Sequence, residues 1–308
     1  MKLVSEEKEL LGTKIIITLP DSFSFRQRRA GTESVPSIFS SCFAELKRIE
    51  KAYSRFLDSS ELSTLNRNLS SWQSVSKEFF FLIKQALKYK KNSQGYFDVT
   101  LKATLDQLGY DKEYSFKKKE QQAAKKRFFD RFRKDILLDE KEQKVFLRKE
   151  IEIGGFGKGF AVDKVRELLE KEGIDHFLIN AGGDMYAKTR KGELPWKIHL
   201  EHPEDTEKVI GFVLLHTGAI ASSSPSRRKW KDGHHLINAK TKKPVDSVKQ
   251  IFVLADSCMD ADAYATALFT AGFDYAIPLS RKLPVQVYLL SEDNEPYMSR
   301  GFHAEFFE

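Results

Sequence analysis

The chain has 308 residues, of which 41% are hydrophobic and 31% charged, so it is long and apolar enough to fold around a packed core. Its formal net charge of +7 suits an anionic ligand or a nucleic-acid surface and does not choose between them. No run approaches 18 apolar residues, which excludes a membrane-spanning helix. The two cysteines, Cys42 and Cys258, form neither a metal motif nor a disulfide framework.

The first residues give an expectation about location. They read M-K-L-V-S-E-E-K-E-L-L-G-T, with charges where a secretory signal peptide needs an apolar run, and no lipobox cysteine follows them. Together with the missing disulfide framework, this start predicts a protein of the reducing cytoplasm.

The N-terminal half is predicted to contain a strand, amphipathic helices and a hairpin. Pro36–Leu57 carries apolar residues at helical spacing, and Ser76–Lys90 is a second helix with Ser76 as its N-cap. The other predicted elements are an opening strand at Leu10–Leu19, a turn at Asp58–Asn66 capped by Ser60, a polar and aromatic loop at Gly95–Thr100, a short helix at Leu105–Tyr110, and a hairpin of Ile136–Leu138 with Val145–Leu147.

Lys117–Lys134 is a strongly basic stretch that also contains Phe128, Phe129 and Phe132. Cations neutralise phosphates and aromatic rings stack on bases, so the stretch could bind nucleic acid. A solvated amphipathic helix explains the pattern equally well, and no RNA- or DNA-binding motif accompanies it. We therefore predict a basic surface insertion at about residues 112–135 of a single domain spanning residues 1–308, and no nucleic-acid partner.

The most informative segment begins at Ile151–Ile153, which is predicted as a short apolar strand. Four glycines follow between Gly154 and Gly159, and they open a helix that ends at Gly173. A buried strand at Phe177–Ile179 comes next, and a double glycine ends it. A glycine-rich turn at a helix start presents free N–H groups that suit a phosphate, but such turns also serve packing alone. The spacing matches neither the Walker A motif nor G-x-G-x-x-G.

The C-terminal part mixes strands and helices without strict alternation. This mixture points to an α/β protein of the α+β-like mixed kind. The predicted elements are strands at Trp196–Glu201, Val209–Leu215, Ile251–Ala255, Val285–Leu290 and Gly301–Phe307, and helices at Ser257–Gly272 and Tyr275–Leu279.

Seven segments, in order along the chain, resemble the motifs of the FAD:protein FMN transferases, the ApbE-type flavin transferases. One such motif would be weak evidence, but the set extends from Leu11 to about Gly272. The segments are Leu11–Thr13 (M-G-T), Asp58–Asn66 (D-S-E-[IL]-S-x-L-N), Gly95–Thr100 (G-x-F-D-[PI]-T), Ile151–Asp163 (I-D-L-G-x-[IV]-A-K-G-[YF]-A-V-D), Ile179–Asp184 ([IL]-N-A-G-G-D), His235–Pro244 (H-I-I-D-P-x-T-G-x-P) and Ala261–Ala267 (A-D-A-[LYW]-[AS]-T-A).

Some positions depart from the family pattern. Glu152 replaces an aspartate and keeps a carboxylate on a longer side chain, and Ser222–Ser224 stands where T-S-G is frequent. Asn238 and Ala239 replace the Asp-Pro of the histidine motif, so that loop has no carboxylate there.

The resemblance implies a Mg²⁺ site and a catalytic base. Asp262 and Thr266 share one face of a predicted helix and, with a backbone oxygen of Gly155, make a hard oxygen set. On spacing alone, a surface charge and a back-bonded hydroxyl remain the alternative. Asp262 would be catalytic through the metal, and His235 would be the general base, because imidazole titrates near neutral pH. His234, its neighbour, is expected at the surface.

The resemblance also implies FAD as the substrate. Aromatic side chains in the motifs could stack on the isoalloxazine or adenine ring, or belong to the core. The lysine of the glycine turn could meet phosphate charge or be solvated. The residues that the resemblance implies for flavin binding are Leu11, Phe56, Tyr96, Phe97, Asp98, Glu152, Lys158 and Ile237.

The implied fold is that of the single-domain flavin transferases, and the implied reaction depends on Mg²⁺. FMN from FAD would be attached through a phosphodiester bond to a threonine or serine hydroxyl of an acceptor flavoprotein, and AMP would leave. With water as the acceptor, the same site would be an FAD pyrophosphatase that releases FMN and AMP. A catalytically weakened FAD-binding protein is the third reading, because the histidine motif is altered.

Overall fold

The structure is a computed structural model that describes residues 2–21, 34–110, 134–226, 229–230 and 233–307. Its helices are α1 (Val35–Tyr53), α2 (Glu61–Arg67), α3 (Lys77–Asn92), α4 (Lys102–Gln107), α5 (Gly157–Lys171), α6 (Cys258–Ala271) and α7 (Phe273–Ser280), with a 3₁₀ turn at Val99–Leu101. Its strands are β1 (Leu3–Leu10), β2 (Thr13–Pro20), β3 (Trp72–Ser74), β4 (Ile136–Asp139), β5 (Lys144–Leu147), β6 (Phe177–Ala181), β7 (Asp184–Lys188), β8 (Trp196–Glu201), β9 (Val209–Leu215), β10 (Thr217–Ser223), β11 (Lys229–Trp230), β12 (Gly233–His234), β13 (Val248–Ala255), β14 (Gln286–Ser291), β15 (Pro296–Met298) and β16 (Glu305–Phe306). Across these ranges, no helix is long and apolar enough to cross a membrane.

An eight-stranded antiparallel sheet organises the fold, in the strand order β1-β2-β6-β7-β10-β13-β14-β15. Helix α6 packs on one face, where Ile251 and Val253 of β13 join the largest apolar cluster. Phe252 and the β10 residue Ile220 point to the opposite face, where they cluster with residues of a three-stranded sheet of order β16-β9-β8. The mixed helix and sheet fold expected from the sequence is confirmed, and the antiparallel pairing places it toward the α+β class.

The predicted helices are present. Ser60 and Ser76 each accept a hydrogen bond from a backbone N–H three residues later and cap α2 and α3, as predicted, and Ser257 caps α6 in the same way. Helix α5 ends just before Gly173, whose φ of 78° is typical of a residue that follows a helix. Helix α1 ends at Tyr53, earlier than predicted. The two cysteines are buried free thiols, as the sequence indicated.

One strand prediction was confirmed with a different start, and one was wrong. The strand predicted at Leu10–Leu19 is β2, which begins at Thr13 because Leu11 and Gly12 adopt left-handed φ angles of 57° and 68° and reverse the chain after β1. Ile151–Ile153, in contrast, is not a strand. The side-chain amide of Asn66 bonds both backbone groups of its first residue at 2.8 Å, which replaces the hydrogen bonds of a sheet.

Smaller differences concern the ends of elements. The helix predicted at Leu105–Tyr110 begins earlier, and α4 ends at Gln107. The strand predicted at Gly301–Phe307 is reduced to the two residues of β16. The predicted hairpin of β4 with β5 is confirmed. The predicted basic insertion lies, up to residue 133, outside the described residues, and it remains a prediction together with the domain bounds.

Candidate active site

One cavity of about 1100 Å³ brings together the residues predicted for the site. Its wall is formed by the β1–β2 turn, the loops after α1 and α3, the glycine turn before α5, the β6–β7 turn, α6 and the segment after β12. The predicted residues that line it are Leu11, Phe56, Tyr96, Phe97, Asp98, Glu152, Gly155, Lys158, His235, Ile237, Asp262 and Thr266. Their chemical roles remain predictions.

Three charged side chains, Lys158, Asp184 and Asp262, form a cluster in the cavity wall that we call the charged centre. Asp184 and Asp262 are only 2% and 4% exposed. Lys158 forms an ion pair with Asp184, and its ammonium lies 3.6 Å from a carboxylate oxygen of Asp262. Two carboxylates and one ammonium leave a net negative charge on the cluster, which favours a bound cation.

Helices α5 and α6 fix the charged centre by capping each other. The N–H of Gly159, in the first turn of α5, donates to Oδ2 of Asp262 on α6 at 3.0 Å. In return, Asp163 on α5 accepts from the N–H groups of Cys258 and Met259 at 3.0 and 2.9 Å. Burial raises the pKa of the Asp163 carboxyl in spite of these two bonds. Each carboxylate therefore accepts from N–H groups in the first turn of the other helix, which have no hydrogen-bond partner within their own helix.

The start of α5 is open toward the cavity. Its N-cap residue, Phe156, makes no side-chain capping bond, and Gly157 and Lys158 of the first turn line the cavity. The N–H groups of Gly157 and Gly159 are bonded to Ile153 and Asp262, so an anion here is favoured by the positive end of the helix dipole and by the lysine ammonium. This end of the cavity suits a phosphate group.

The residues predicted for the metal form a hard oxygen set. A Cβ added to Gly155 would lie 3.5 Å from Oγ1 of Thr266, so the glycine turn and the hydroxyl are near each other. Within the described ranges, no three His, Cys, Asp or Glu side chains form a metal-binding group. A cation bound by Asp262 and Thr266 would complete its shell with waters or phosphate oxygens, as Mg²⁺ does. These residues fit Mg²⁺ better than Zn²⁺, which takes nitrogen and sulfur ligands.

The aromatic residues after α3 differ in environment. Phe97 is 3% exposed and packs edge-on against Tyr89 and Phe156, so it belongs to the core and only borders the cavity. Tyr96 has the ammonium of Lys240 over its ring at 3.6 Å from the centroid. One predicted flavin residue is therefore mainly a packing residue.

Arg55, which the sequence analysis missed, holds the wall that contains Phe56. Its guanidinium lies 4.8 Å from the ring centroids of both Phe56 and Tyr110 and forms an ion pair with Asp106 at 3.4 Å. The Tyr110 ring lies 5.9 Å from the imidazole of His235. The cation between two rings therefore orders the wall beside the predicted base.

Two further side chains hold loops at the cavity. The N–H of Leu11 donates to Glu50 on α1 at 2.7 Å, which fixes the β1–β2 turn. Asp98 forms an ion pair with Lys90 at 2.9 Å and accepts from the N–H and hydroxyl of Thr100. Burial opposes the ionisation of Asp98, but these donors outweigh it and hold the pKa of the carboxyl below its usual value.

Two carboxylates near the glycine turn, those of Glu152 and Asp184, have different partners. The carboxylate of Glu152 accepts the N–H of Gly154 at 2.6 Å, within the glycine turn. Asp184 was not assigned a role from the sequence, although it ends the double-glycine motif. Its burial and its ion pair with Lys158 depend on packing between distant parts of the chain, which the spacing of residues in the sequence does not predict.

The histidine segment corrects one prediction. His234 is 8% exposed and not at the surface, because its Nε2 bonds the carbonyl of Val245 at 2.8 Å and its Nδ1 accepts from Leu236. His235 is half-buried and lines the cavity, as does the fully buried Ile237. The histidine pair is thus divided between one structural and one accessible imidazole.

Asn238 shows how the altered histidine motif is accommodated. Its Oδ1 accepts from the N–H groups of Lys240 and Thr241, and its Nδ2 donates to the carbonyl of Thr270 at 2.9 Å. A carboxylate could accept the first two bonds but could not donate the third. The asparagine therefore ties the loop to α6 and does not disrupt it.

The chain is similar in sequence to proteins of known family. A sequence profile of the ApbE family matches residues 11–289. The chain is 28% identical to the FAD:protein FMN transferase of Haemophilus influenzae, over 98% of this chain and 90% of that protein. It is 25% identical to the FAD:protein FMN transferase of Escherichia coli K12, over 86% and 82% of the two chains.

Solved structures show the same fold. The ApbE protein of Thermotoga maritima superposes with a TM-score of 0.84 at 23% identity and covers 97% of both chains. The flavin transferase ApbE of Vibrio cholerae superposes with a TM-score of 0.80 at 21% identity and covers 98% of both.

Fold and site together define a mixed helix and sheet protein with a cavity of about 1100 Å³ that brings the motif residues together. The chain belongs to the ApbE family, because the family profile matches most of its length.

Proposed function

We propose that this protein transfers FMN from FAD to a threonine or serine hydroxyl of an acceptor flavoprotein and releases AMP. The observation that carries the proposal is the charged centre beside the open start of α5, in a cavity large enough for a dinucleotide. Two relatives that cover most of the chain are named FAD:protein FMN transferase, which supports the same reaction.

The reaction exchanges one phosphorus–oxygen bond for another. The acceptor oxygen attacks the FMN phosphorus, a new P–O bond forms, and the bond to the AMP oxygen breaks. The hydroxyl proton passes to a base, for which we propose His235, an imidazole that lines the cavity beside the aromatic wall. AMP leaves with the electron pair of the broken bond.

The side chains of the cavity would bind and orient FAD for this step. Lys158, together with the positive end of the α5 dipole, would hold the pyrophosphate. Mg²⁺ held by Asp262, Thr266 and a backbone oxygen of Gly155 would neutralise charge on the pyrophosphate and its leaving group. Phe56 and Tyr96 line the cavity, and their rings would contact the flavin or the adenine.

The first test is ligand preference. The purified protein is expected to bind FAD more tightly than NAD or ATP, because the aromatic wall and the phosphate end of the cavity together match both halves of FAD. Fluorescence quenching or calorimetry with the three ligands measures this. Equal affinity for all three, or no binding of FAD, would refute the flavin proposal.

The second measurement separates transfer from hydrolysis. The protein is incubated with FAD and Mg²⁺, with and without a threonine-bearing acceptor peptide, and AMP and FMN are separated by chromatography. Transfer gives AMP with peptide-bound FMN, whereas a pyrophosphatase gives free FMN and AMP in both samples. FAD that is bound but not cleaved would identify a binding protein without catalysis.

The basic stretch is expected to have no role in the reaction. Replacing Lys117, Lys118 and Lys119 by glutamine should leave FAD turnover within about two-fold, because substitutions away from special features cost little. Turnover is measured with the same assay as for the wild type. A much larger loss would mean that the stretch guides an acidic partner or substrate.

A further inference from the structure

The cavity contains a buried polar group that the proposed reaction does not use, the carboxamide of Gln250. Gln250 is 2% exposed and lines the cavity. Its Oε1 has no hydrogen-bond partner among the described residues. A buried acceptor without a donor costs folding free energy and calls for an explanation, and a ligand that brings a donor is one.

Gln250 lies where the cavity extends between the eight-stranded sheet and β8, and we call this part the β8 arm. Strand alternation places Gln250 and Phe252 of β13 on one face, which Ile220 of β10 shares. Residues of β8 face them from the three-stranded sheet. The arm is lined by Met185, Ile198, His199, Ile220, Gln250 and Phe252.

The β8 arm joins the charged centre at the β6–β7 turn. A Cβ on Gly183 would lie 2.9 Å from Oγ of Ser222, so the glycine leaves the passage beside that hydroxyl open. Asp184 points to Lys158, whereas the next residue, Met185, lines the arm. Consecutive strand residues face opposite sides of a sheet. The first two residues of β7 therefore border two parts of the cavity, with Asp184 at the charged centre and Met185 in the β8 arm.

Strand β8 is the edge of its sheet. Within the described part of the chain it pairs only with β9. The cavity is lined by both Ile198 and His199, whose side chains point to opposite faces of the strand, so it reaches the free edge of β8. An edge strand presents N–H and C=O groups that can pair with an added strand.

We infer that the β8 arm binds the acceptor polypeptide as an extended strand that pairs with β8 and donates a backbone N–H to Oε1 of Gln250. This inference rests on the proposed transfer function and names how its second substrate binds. An extended polypeptide has a backbone N–H about every 3.3 Å, so one N–H group could donate to Oε1 of Gln250 while others pair with the free edge of β8. The threonine or serine hydroxyl of this polypeptide would reach the phosphate past Gly183.

The other candidate occupant is part of FAD itself. Ring systems bind on aromatic faces, and the aromatic wall of Phe56, Tyr96 and Tyr110 is built from other elements of the cavity. Among the residues named above, the β8 arm offers one phenyl ring, that of Phe252, besides the imidazole of His199, and the phenyl ring packs in the cluster with Ile220. We therefore assign the arm to the polypeptide, and the experiment distinguishes the two.

The probe is a library of 12-residue peptides with one central threonine and random flanks. Members that gain FMN mass in the presence of FAD and Mg²⁺ are sequenced, and the best is resynthesised. Gln250→Leu is expected to raise the KM for this peptide at least about 10-fold and to leave FAD affinity and kcat within about two-fold. Its melting temperature should not fall, because the variant removes a buried amide oxygen that has no partner among the described residues.

Gln73→Leu is the matched control. The Gln73 amide is half-buried, donates to the carbonyls of Leu65 and Asn68 and does not line the cavity. This variant should lose stability and keep the wild-type KM for the peptide. The opposite directions of the two variants separate a peptide subsite from a merely structural amide.

A second measurement tests strand pairing. Backbone N-methylation of the peptide at each position in turn should lower transfer at alternate positions, because an added strand pairs through every second residue. An unchanged peptide KM in Gln250→Leu, no alternation, or a loss of FAD affinity in place of peptide affinity would overturn the inference and leave the transfer function standing. A wild-type protein that releases FMN and AMP but modifies no peptide would overturn both.

Discussion

Asp262→Asn is expected to lower FMN transfer at least about 100-fold, which corresponds to roughly 2.7 kcal/mol of activation free energy. The side chain is buried in the charged centre, 3.6 Å from the Lys158 ammonium. Asparagine keeps the size of the side chain and removes its charge, and a hard cation such as Mg²⁺ is held less tightly by an amide oxygen than by a carboxylate. The pyrophosphate would then lose charge neutralisation and alignment.

The Mg²⁺ dependence distinguishes a ligand from a structural residue. Excess Mg²⁺ should restore part of the transfer in Asp262→Asn, because the defect lies in affinity. The fold should survive, since the asparagine oxygen can still accept from Gly159. Asp260→Asn is the control on the same helix, because Asp260 accepts the Tyr89 hydroxyl and does not line the cavity. Wild-type rates in Asp262→Asn at limiting Mg²⁺ would show that Asp262 is not a ligand.

Local signals in the sequence were sufficient for the helices, and the family resemblance was sufficient to choose residues that line the cavity. Ser60, Ser76 and Ser257 precede apolar residues at helical spacing, and a serine cap acts over three residues, so neighbouring sequence determines it. The motifs also lie at turns and helix starts that converge on one cavity. Residues chosen from motifs therefore came together although their distances were not predictable.

Long-range hydrogen bonds account for what the sequence did not reveal. The apolar pattern of Ile151–Ile153 is that of a strand, yet the amide of Asn66 takes its hydrogen bonds from 85 residues away. His234 is buried because it bonds Val245, and Asp163 caps a helix that begins far along the chain. The orphan oxygen of Gln250 becomes visible only when every neighbour is placed. The periodicity of apolar residues predicts which face of an element is buried, but it does not predict which distant polar group will form a hydrogen bond with it.

Gly159→Ala is expected to destabilise the protein and to lower FMN transfer about 100-fold or more. A Cβ on Gly159 would lie 2.3 Å from the carbonyl oxygen of Cys258 and 2.8 Å from Cα of Met259. Both are backbone atoms of α6, so no side chain can rotate away and the two helices must separate. Overpacking costs about 1–3 kcal/mol, sometimes more, against the roughly 1 kcal/mol that alanine gains over glycine in a helix.

The separation also acts on the chemistry, because α5 carries Lys158 and α6 carries Asp262, and a shift of about 1 Å in aligned groups costs about 100-fold. Gly157→Ala is the matched control for stability, since a Cβ there meets only the Ile153 side chain at 3.4 Å. Urea unfolding should therefore separate the two variants, and the transfer assay should show whether the lost stability and the lost rate occur together. A Gly159→Ala protein with wild-type stability and rate would mean that α6 can move aside freely, and the reciprocal caps would then not position the charged centre.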